Sequence, residues 1–309
     1  MASPLQPSVA GQQRRRCPLG AARPAWTPQE LPRCFPASRP RSAPCRSLPA
    51  IGPALQAAAP ALLAPHPGIT AGVLANTTVY VLGIRVLLAG LTWAGVFNSW
   101  LLGCASYSAF GIGGYALVCL YFIIGSLVTK IRLEEKIREG IAEKREGRRS
   151  VGSVWGSGLA GTICALAAMV TGDYPFWQVG FVANFGSKLS DTVSSEVGKA
   201  YGKTTYLITT FEKCPRGTEG AISLEGTAAG IGAAAVYSFL AFLFGQVSLA
   251  GCGVVFLACV TANFMESYLG AALQGKLDFL TNDVVNMIQI SVAAILAIAG
   301  QAAWVRFAV

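Results

Sequence analysis

The sequence VLLAGLTWAGVFNSWLLGCASYSAFGIGGYALVCLYFIIGSLVT, residues 86–129, decides the fold because it runs without a single charged side chain. A helix needs about 20 apolar residues to cross the hydrocarbon core of a bilayer, so this stretch is long enough for two spanning helices. The whole chain has the same character, since 53% of its 309 residues are hydrophobic and only 13% are charged. Such a composition excludes an ordinary soluble domain.

On either side of this stretch, five more uncharged stretches alternate with charged segments. They are residues 68–84, 150–172, 174–187, 226–265 and 284–305. The stretch 226–265 again has room for two helices, and each of the others has room for one. We therefore predict an all-α, polytopic membrane helix bundle of seven to eight spans, with eight if the short stretch 174–187 crosses the bilayer.

The charges between the stretches favour eight spans. With eight, Arg85 and the loops 130–149, 188–225 and 266–283 share one membrane face, which then holds 15 Lys and Arg residues against Arg306 alone on the other face. This bias is the one that the positive-inside rule describes. We predict that the charged face is the cytoplasm-like one, which in a plastid is the stroma.

The N-terminal segment, residues 1–66, differs from the rest of the chain. Up to residue 67 the sequence holds eight Arg, a single acidic residue (Glu30) and 14 of the 16 prolines. An Arg-rich, acid-poor segment without a continuous apolar run is typical of an organelle transit peptide, and a disordered basic tail is the alternative. We predict a disordered transit segment over 1–66 and a transmembrane helical domain over 67–309. Because most of the net positive charge lies in the transit segment, we expect no nucleic acid as a partner.

Cysteine and histidine give no sign of a metal centre or of disulfides. The nine cysteines form no CxxC pair, and the chain has one histidine, His66. Five of the cysteines lie in apolar stretches, where a thiol packs as a small hydrophobic group. The sequence therefore predicts neither a zinc site nor a disulfide framework.

The segment KLSDTVSSEVGKAYGKTTYLITTFEKCPRGTEGAISLEGT, residues 188–227, concentrates acids, bases, hydroxyls and glycines at the membrane edge. Carboxylates hold Mg²⁺, Lys and Arg neutralise phosphate, and glycine lets backbone N–H groups approach an anion closely. If a helix starts here, Asp191 and Ser195 share one of its faces, and Thr192 and Glu196 share an adjacent one. We predict a phosphate and metal site in this segment.

The glycines of this segment have competing interpretations. The run GKAYGKTT, residues 198–205, has one residue too few for a P-loop and no preceding strand, so we reject that motif. Gly226 and Gly230, like Gly152 and Gly156, have the small-xxx-small spacing of closely packed membrane helices. Packing is therefore the alternative to phosphate binding at such positions.

Acidic residues in the remaining loops have more than one interpretation. Glu266 ends a span next to hydrocarbon, where a carboxylate either binds a cation or lies solvated at the helix end. Asp283 is either a site residue or the N-cap of the last helix, and Asp173 is a turn residue. The loop 130–149 has Glu three and four positions from Lys or Arg, which predicts a solvated juxtamembrane helix.

Several motifs, in order, carry a resemblance that covers nearly everything after the N-terminal segment. They are GRRSVGSVWGSG (147–158), SDTVSSEVG (190–198), YLITTFEKCPRGTEGAISLEGT (206–227), ESYLGAALQ (266–274) and NDVVN (282–286). The chain resembles the family of small integral membrane proteins that includes the phytyl-phosphate kinase of chloroplasts. That family is distantly similar to phytol kinase, dolichol kinase and phosphatidate cytidylyltransferase.

The resemblance implies a phosphotransferase of a chloroplast membrane, either envelope or thylakoid. Its expected reaction moves a phosphoryl group from a nucleoside triphosphate to phytyl phosphate, giving phytyl diphosphate for tocopherol and prenylquinone synthesis. The expected cofactor is Mg²⁺, and the expected partners are the nucleotide, the prenyl phosphate and membrane lipid. Fold-level similarity does not by itself fix a substrate.

We assign site residues from their chemistry. Catalysis is assigned to Asp191, Glu196 and Lys188. The Mg²⁺ ligands are predicted to be Asp191 and Glu196, with Glu225 or Glu266 as a further ligand. The predicted nucleotide and phosphate-binding residues are Lys199, Lys203, Arg216, Gly198, Gly202, Gly217, Gly220, Gly226 and Thr227.

Three alternative functions stay open. A phytol kinase would act on the free alcohol, but removal of the transit segment is expected to leave no histidine as a base, which favours an acceptor that is already anionic. A transporter of an anionic solute would hold its charges near the bilayer midplane. A non-catalytic scaffold would leave the charge density of residues 188–227 unexplained. The sequence leaves open ATP against CTP or UTP, phytyl against geranylgeranyl chains, and the oligomeric state.

Overall fold

The structure, a computed structural model, describes residues 60–143, 147–274, 276–277 and 279–308. Most of the predicted transit segment, residues 1–59, lies outside the described residues. The helices are α1 (Ile69–Gly90), α2 (Trp93–Thr129), α3 (Leu133–Arg138), α4 (Val151–Thr171), α5 (Tyr174–Tyr201), α6 (Leu224–Leu243), α7 (Leu249–Leu273) and α8 (Asn282–Ala308). Between α5 and α6, strands β1 (Thr205–Leu207) and β2 (Ala221–Ser223) pair as an antiparallel hairpin.

Six of the helices in the described part of the chain are long and apolar enough to cross a membrane. They are α1, α2, α4, α6, α7 and α8. These helices are built from the uncharged stretches of the sequence. A helix suits hydrocarbon because it satisfies its backbone hydrogen bonds internally. The predicted all-α membrane bundle is confirmed.

Helix α2 holds two spans because the chain reverses direction inside it. At Gly111 the backbone leaves the helical region, with φ 59° and ψ −160°, a conformation that glycine adopts without the steric cost of a Cβ. Before that point α2 runs antiparallel to α1: Gly72 packs against Ser108, whereas Tyr80, further along α1, donates to Ser99, earlier in α2. After it α2 runs parallel to α1: Asn76 accepts from Tyr115 at 2.7 Å, whereas Gly90, further along α1, packs against Phe122, further along α2. The structure thus divides residues 86–129 as the sequence predicts, although α1 extends to Gly90 and includes Arg85.

Helix α5 is longer and more central than expected. We predicted a span over 174–187 followed by a loop from Lys188, but the helix continues to Tyr201. It packs against α2, α4, α6, α7 and α8, and every residue from Val179 to Asp191 is buried. Inside the bundle the polar side chains of α5 find hydrogen-bond partners, as Lys188 does in Asp191 and Asn286, so they are tolerated in a buried helix. The prediction of a loop from Lys188 is therefore wrong.

All the charged loops meet at one end of the bundle, which we call the charged end. There Gly152 of α4 packs against Asp283 of α8, and Arg216 of the hairpin loop donates to Glu139 beyond α3. At the opposite end, Gln178 of α5 donates to Gln246. The shared end agrees with eight spans; the compartment that this end faces stays a prediction.

Three local assignments change. The N-cap of α8 is Thr281, whose hydroxyl accepts from the Val284 N–H, so capping by Asp283 is wrong. Asp173 does lie between two spans, where it caps α5 by accepting from Phe176. In the described part of the loop 130–149, α3 is the only α-helix, and Lys136 within it is buried rather than solvated.

Candidate active site at the charged end

The centre of the site is Lys188, which lies in the buried middle of α5. Its Nζ donates to Asp191 Oδ2 at 2.5 Å, one turn along the same helix, and to Asn286 Oδ1 at 2.8 Å on α8. Both charged residues are only 8% exposed. An ion pair inside a membrane bundle is expensive unless it is fully hydrogen-bonded, and such pairs mark functional sites. We name Lys188, Asp191, Asn286 and Glu266 the Lys188 cluster.

Glu266 joins this cluster from α7. Its carboxyl lies within electrostatic range of Asp191, Lys188 and Glu219. Beside it Asn263 donates to Ser190 Oγ at 3.1 Å, so α5 and α7 are tied together at this level. Glu266 thus lies near Asp191 at the charged end, and its role as a site residue stays a prediction.

Arg149 adds a second cation near the cluster. Its guanidinium donates to the Tyr121 hydroxyl and lies 4.6 Å from the centre of the Tyr121 ring. Tyr121 in turn lies within electrostatic range of Lys188. In the sequence Arg149 directly precedes the uncharged stretch 150–172, and the fold of α2 brings its partner Tyr121 to it.

The residues of the cluster suit Mg²⁺, although they do not enclose it. Asp191 and Glu266 supply carboxylates, and Asn286 supplies an amide oxygen, all of them the hard oxygen ligands that Mg²⁺ prefers. Within the described residues, no group of three Asp, Glu, His or Cys side chains could hold a metal ion. Mg²⁺ is commonly held by one or two carboxylates together with substrate phosphates, so the residues fit a metal that arrives with a nucleotide.

Glu196 lies apart from Asp191. Five helical positions turn a side chain by more than a third of a circle, so the two carboxylates point to different faces of α5. Glu196 forms an ion pair with Lys136 of α3, in which both side chains are 1% exposed, and a second with Lys199 at 3.2 Å. The structure thus does not bring together the two predicted Mg²⁺ ligands Asp191 and Glu196.

Two of the predicted phosphate-binding cations already have acidic partners. Lys199 contacts Glu143 at 3.2 Å as well as Glu196, and Arg216 makes a forked contact to Glu139 at 2.7 and 2.9 Å. Burial raises the pKa of Glu143, but the charges of Lys199, Lys188 and Arg149 together outweigh burial and hold this pKa below its usual range. Lys203 is exposed in the turn after α5.

The predicted glycines lie mostly in helix and turn contacts. A Cβ on Gly226 would lie 2.6 Å from Ser194 O and 3.1 Å from the Cα of Gly198, so these two glycines let α5 and α6 pack closely. Gly202 lies against Ser223 at the end of α5, and Gly217 and Gly220 form turns with positive φ. The run GKAYGKTT ends a helix, which agrees with rejecting the P-loop.

The last two predicted residues lie at the start of α6. Glu225 is in its first turn, where a carboxylate interacts favourably with the helix dipole. Thr227 lines a small crevice between α5, α6 and α7, together with Ser194, Asn263 and Ser267. No contact that the structure records joins either residue to Lys188 or Asp191.

His66 lies far from the cluster. Its Nδ1 is 2.7 Å from Ala109 O, and its ring stacks on Tyr174 at 3.6 Å, at the end of the bundle opposite the charged end. The residues that sequence reasoning missed are Lys136, Tyr121 and Asn286. Asn286 lies in the NDVVN motif, but nothing in the sequence pairs Lys136 with Glu196.

Comparison with known proteins places the chain in a family. Residues 76–294 match the family described as integral membrane protein DUF92. The chain is 48% identical to "Protein VTE6, chloroplastic" of Arabidopsis thaliana over 72% of its own length and 69% of that protein. No solved structure matches it.

Two further relatives are prokaryotic. An uncharacterized membrane protein of Synechocystis is 48% identical over 67% of the chain and 81% of that protein. One of Methanocaldococcus jannaschii is 32% identical over 66% of the chain and 83% of that protein. The chain belongs to the DUF92 family of integral membrane proteins.

Proposed function

We propose that the protein is a prenyl-phosphate kinase of a chloroplast membrane that transfers a phosphoryl group from a nucleoside triphosphate to phytyl phosphate. The product, phytyl diphosphate, serves tocopherol and prenylquinone synthesis. Support comes from the sequence motifs and from the relative named "Protein VTE6, chloroplastic". The observation that carries the proposal is the buried Lys188 cluster at the charged end, where a lipid headgroup and a soluble nucleotide can meet.

Phosphoryl transfer needs positioning and charge neutralisation more than covalent chemistry by the protein. Lys188 and Arg149 are the cations of the site, and they bind and orient phosphate oxygens. Asp191 and Glu266 would hold Mg²⁺, which would supply neutralisation of the charge that builds up on the transferred group. Lys188 pairs with Asp191, so the two charges compensate each other within the protein.

The acceptor is a phosphate rather than an alcohol. A phosphate monoester is already anionic at neutral pH and attacks without a base, whereas an alcohol needs a group that takes its proton. The Lys188 cluster contains no histidine, and its two carboxylates, Asp191 and Glu266, are the proposed Mg²⁺ ligands. Two nearby cations, Lys188 and Arg149, suit an acceptor that brings its own charge.

The test offers both acceptors to the purified protein. Protein in lipid vesicles is incubated with Mg²⁺ and γ-labelled nucleoside triphosphate, and with either phytyl phosphate or phytol, and the lipid products are separated. We expect phytyl diphosphate from phytyl phosphate, formed much faster than any monophosphate from phytol. A monophosphate from phytol with no diphosphate from phytyl phosphate would favour the alcohol kinase instead.

A further inference from the structure

An apolar groove lies between α1 and the first half of α2, away from the Lys188 cluster. Its volume is about 470 Å³, and Tyr80, Val81, Trp93, Phe97 and Trp100 are among its lining residues. This volume falls within the range of small-molecule sites, which are concave and mostly apolar. The groove is open along one side, where Val81 and Phe97 are well exposed.

Two of its aromatic walls are tied by hydrogen bonds between α1 and α2. Trp100 Nε1 donates to Thr77 Oγ1 at 3.0 Å, and the Tyr80 hydroxyl donates to Ser99 Oγ at 2.9 Å. These bonds hold the two rings in place at the groove, and an aromatic ring offers a large apolar surface beside its polar atom. The groove is therefore a shaped apolar surface that suits a hydrocarbon chain.

Positive charge borders the groove at its charged end. Arg85 follows the lining residue Ile84 and is exposed. Arg148 is exposed as well, and its Nη2 donates at 3.3 Å to Leu91 O, just before Trp93. An apolar groove with a basic border is complementary to an amphiphile with an anionic headgroup.

Adjacent arginines connect this border with the Lys188 cluster. Arg148 reaches Leu91 beside the groove, whereas the side chain of Arg149 turns to Tyr121, which lies within electrostatic range of Lys188. The backbone holds both in place, because Arg149 O accepts from the Thr92 N–H at 3.1 Å. A headgroup bound by Arg148 thus lies beside the residue that precedes Arg149 in the chain, and Arg149 is one of the cations of the proposed active site.

We propose that this groove binds the isoprenoid chain of the phosphorylated lipid acceptor, with the phosphate at the Arg148 border. The inference rests on the proposed function for the identity of the lipid. The aromatic walls contact the methyl-branched chain, and the arginines select the phosphate over an uncharged alcohol. The groove then delivers the acceptor to the charged end from within the membrane.

Photo-crosslinking tests the location without requiring turnover. A phytyl phosphate analogue with a diazirine in its chain is added to the full-length protein in phosphatidylcholine vesicles, irradiated and mapped by mass spectrometry. We expect labels on the groove walls of α1 and α2, reduced by excess phytyl phosphate and not by equal phosphatidylglycerol. Labels elsewhere, no labels, or equal displacement by phosphatidylglycerol would overturn the inference.

A matched pair of variants gives the second readout. Val81→Trp fills the groove, while Val236→Trp adds the same ring to an α6 position of similar exposure, 58% against 69%. In Val81→Trp we expect groove labelling to fall and KM for phytyl phosphate to rise about tenfold, as for an obstructed apolar pocket. KM for the nucleotide should stay unchanged in both, and Val236→Trp should behave like the unsubstituted protein.

The two proposals fail in different ways. Groove labelling by a protein that transfers no phosphoryl group would contradict the proposed function and leave the groove as a prenyl-phosphate site. Transfer by a protein that is labelled elsewhere, or in which Val81→Trp and Val236→Trp behave alike, would contradict the groove and leave the kinase.

Discussion

The ammonium group of Lys188 is buried in the bundle, where lipid and apolar side chains cannot stabilise a charge. Its partners Asp191 and Asn286 provide that compensation, at 2.5 and 2.8 Å. A buried ion pair of this kind contributes little net stability, but removing one member leaves an uncompensated charge. Substitutions of Lys188 or Asp191 are therefore expected to change both the stability and the activity of the protein. The two effects have to be measured separately.

Lys188→Met should lower stability because it leaves the Asp191 carboxylate buried without its cation, at a cost of about 3–5 kcal/mol. The double variant Lys188→Met, Asp191→Leu should recover most of that loss while remaining inactive. Thermal unfolding in detergent micelles measures the effect. Lys203→Met, which changes an exposed lysine of the same end, is the control. A single variant as stable as this control would show that the pair is not buried as described.

Glu196 lies in a second, separate buried pair, and its predicted role as a Mg²⁺ ligand can be tested against a structural role. If it only holds α3 against α5 through Lys136, Glu196→Gln should lower stability by about 3 kcal/mol and leave the Mg²⁺ concentration for half-maximal activity unchanged. A change in the Mg²⁺ concentration for half-maximal activity, with unchanged stability, would instead support Glu196 as a Mg²⁺ ligand.

At the scale of elements, the sequence is most informative where lipid is the solvent. The apolar stretches predicted α4, α6, α7 and α8 and the division of residues 86–129, because hydrocarbon requires apolar helices of a set length. It failed for the second half of α5, where the environment is protein and polar residues are tolerated. The sequence also could not predict the ion pair of Lys136 with Glu196. The two residues are 60 positions apart, and no helical or strand repeat relates them.

The reversal in α2 depends on one backbone conformation. Gly111→Ala should destabilise the protein by about 1–3 kcal/mol, because a Cβ is strained at positive φ and would lie 2.8 Å from Ala64 O. Gly83→Ala is the matched control within a regular helix, where a Cβ meets nothing within 4 Å. This control should stabilise by up to about 1 kcal/mol. If the unfolding midpoints of Gly111→Ala and Gly83→Ala shift in the same direction, this role of Gly111 is contradicted.

For the whole molecule, the bundle separates a charged end from an end with few charges. Single cysteines at Thr210 and Gly245, in a cysteine-free background, should react with a membrane-impermeant maleimide from opposite sides of sealed vesicles. Thr210 lies in the hairpin at the charged end, and Gly245 follows α6 at the other end. Cysteine at Glu139, beside Arg216, should label from the same side as Thr210. Labelling of all three from one side would contradict the eight-span topology.

The phosphoryl-transfer activity of the Asp191→Asn variant tests most directly whether the Lys188 cluster performs the reaction. Labelled phytyl diphosphate is measured with Mg²⁺, γ-labelled nucleoside triphosphate and phytyl phosphate, using variants whose folding has been checked by thermal unfolding. Removing charge stabilisation of this kind costs on the order of 3 kcal/mol, so we expect Asp191→Asn to be slower by about a hundredfold or more. Glu212→Gln, an exposed acid of the hairpin loop, should match the unsubstituted protein. Unsubstituted-level turnover in folded Asp191→Asn would contradict the account.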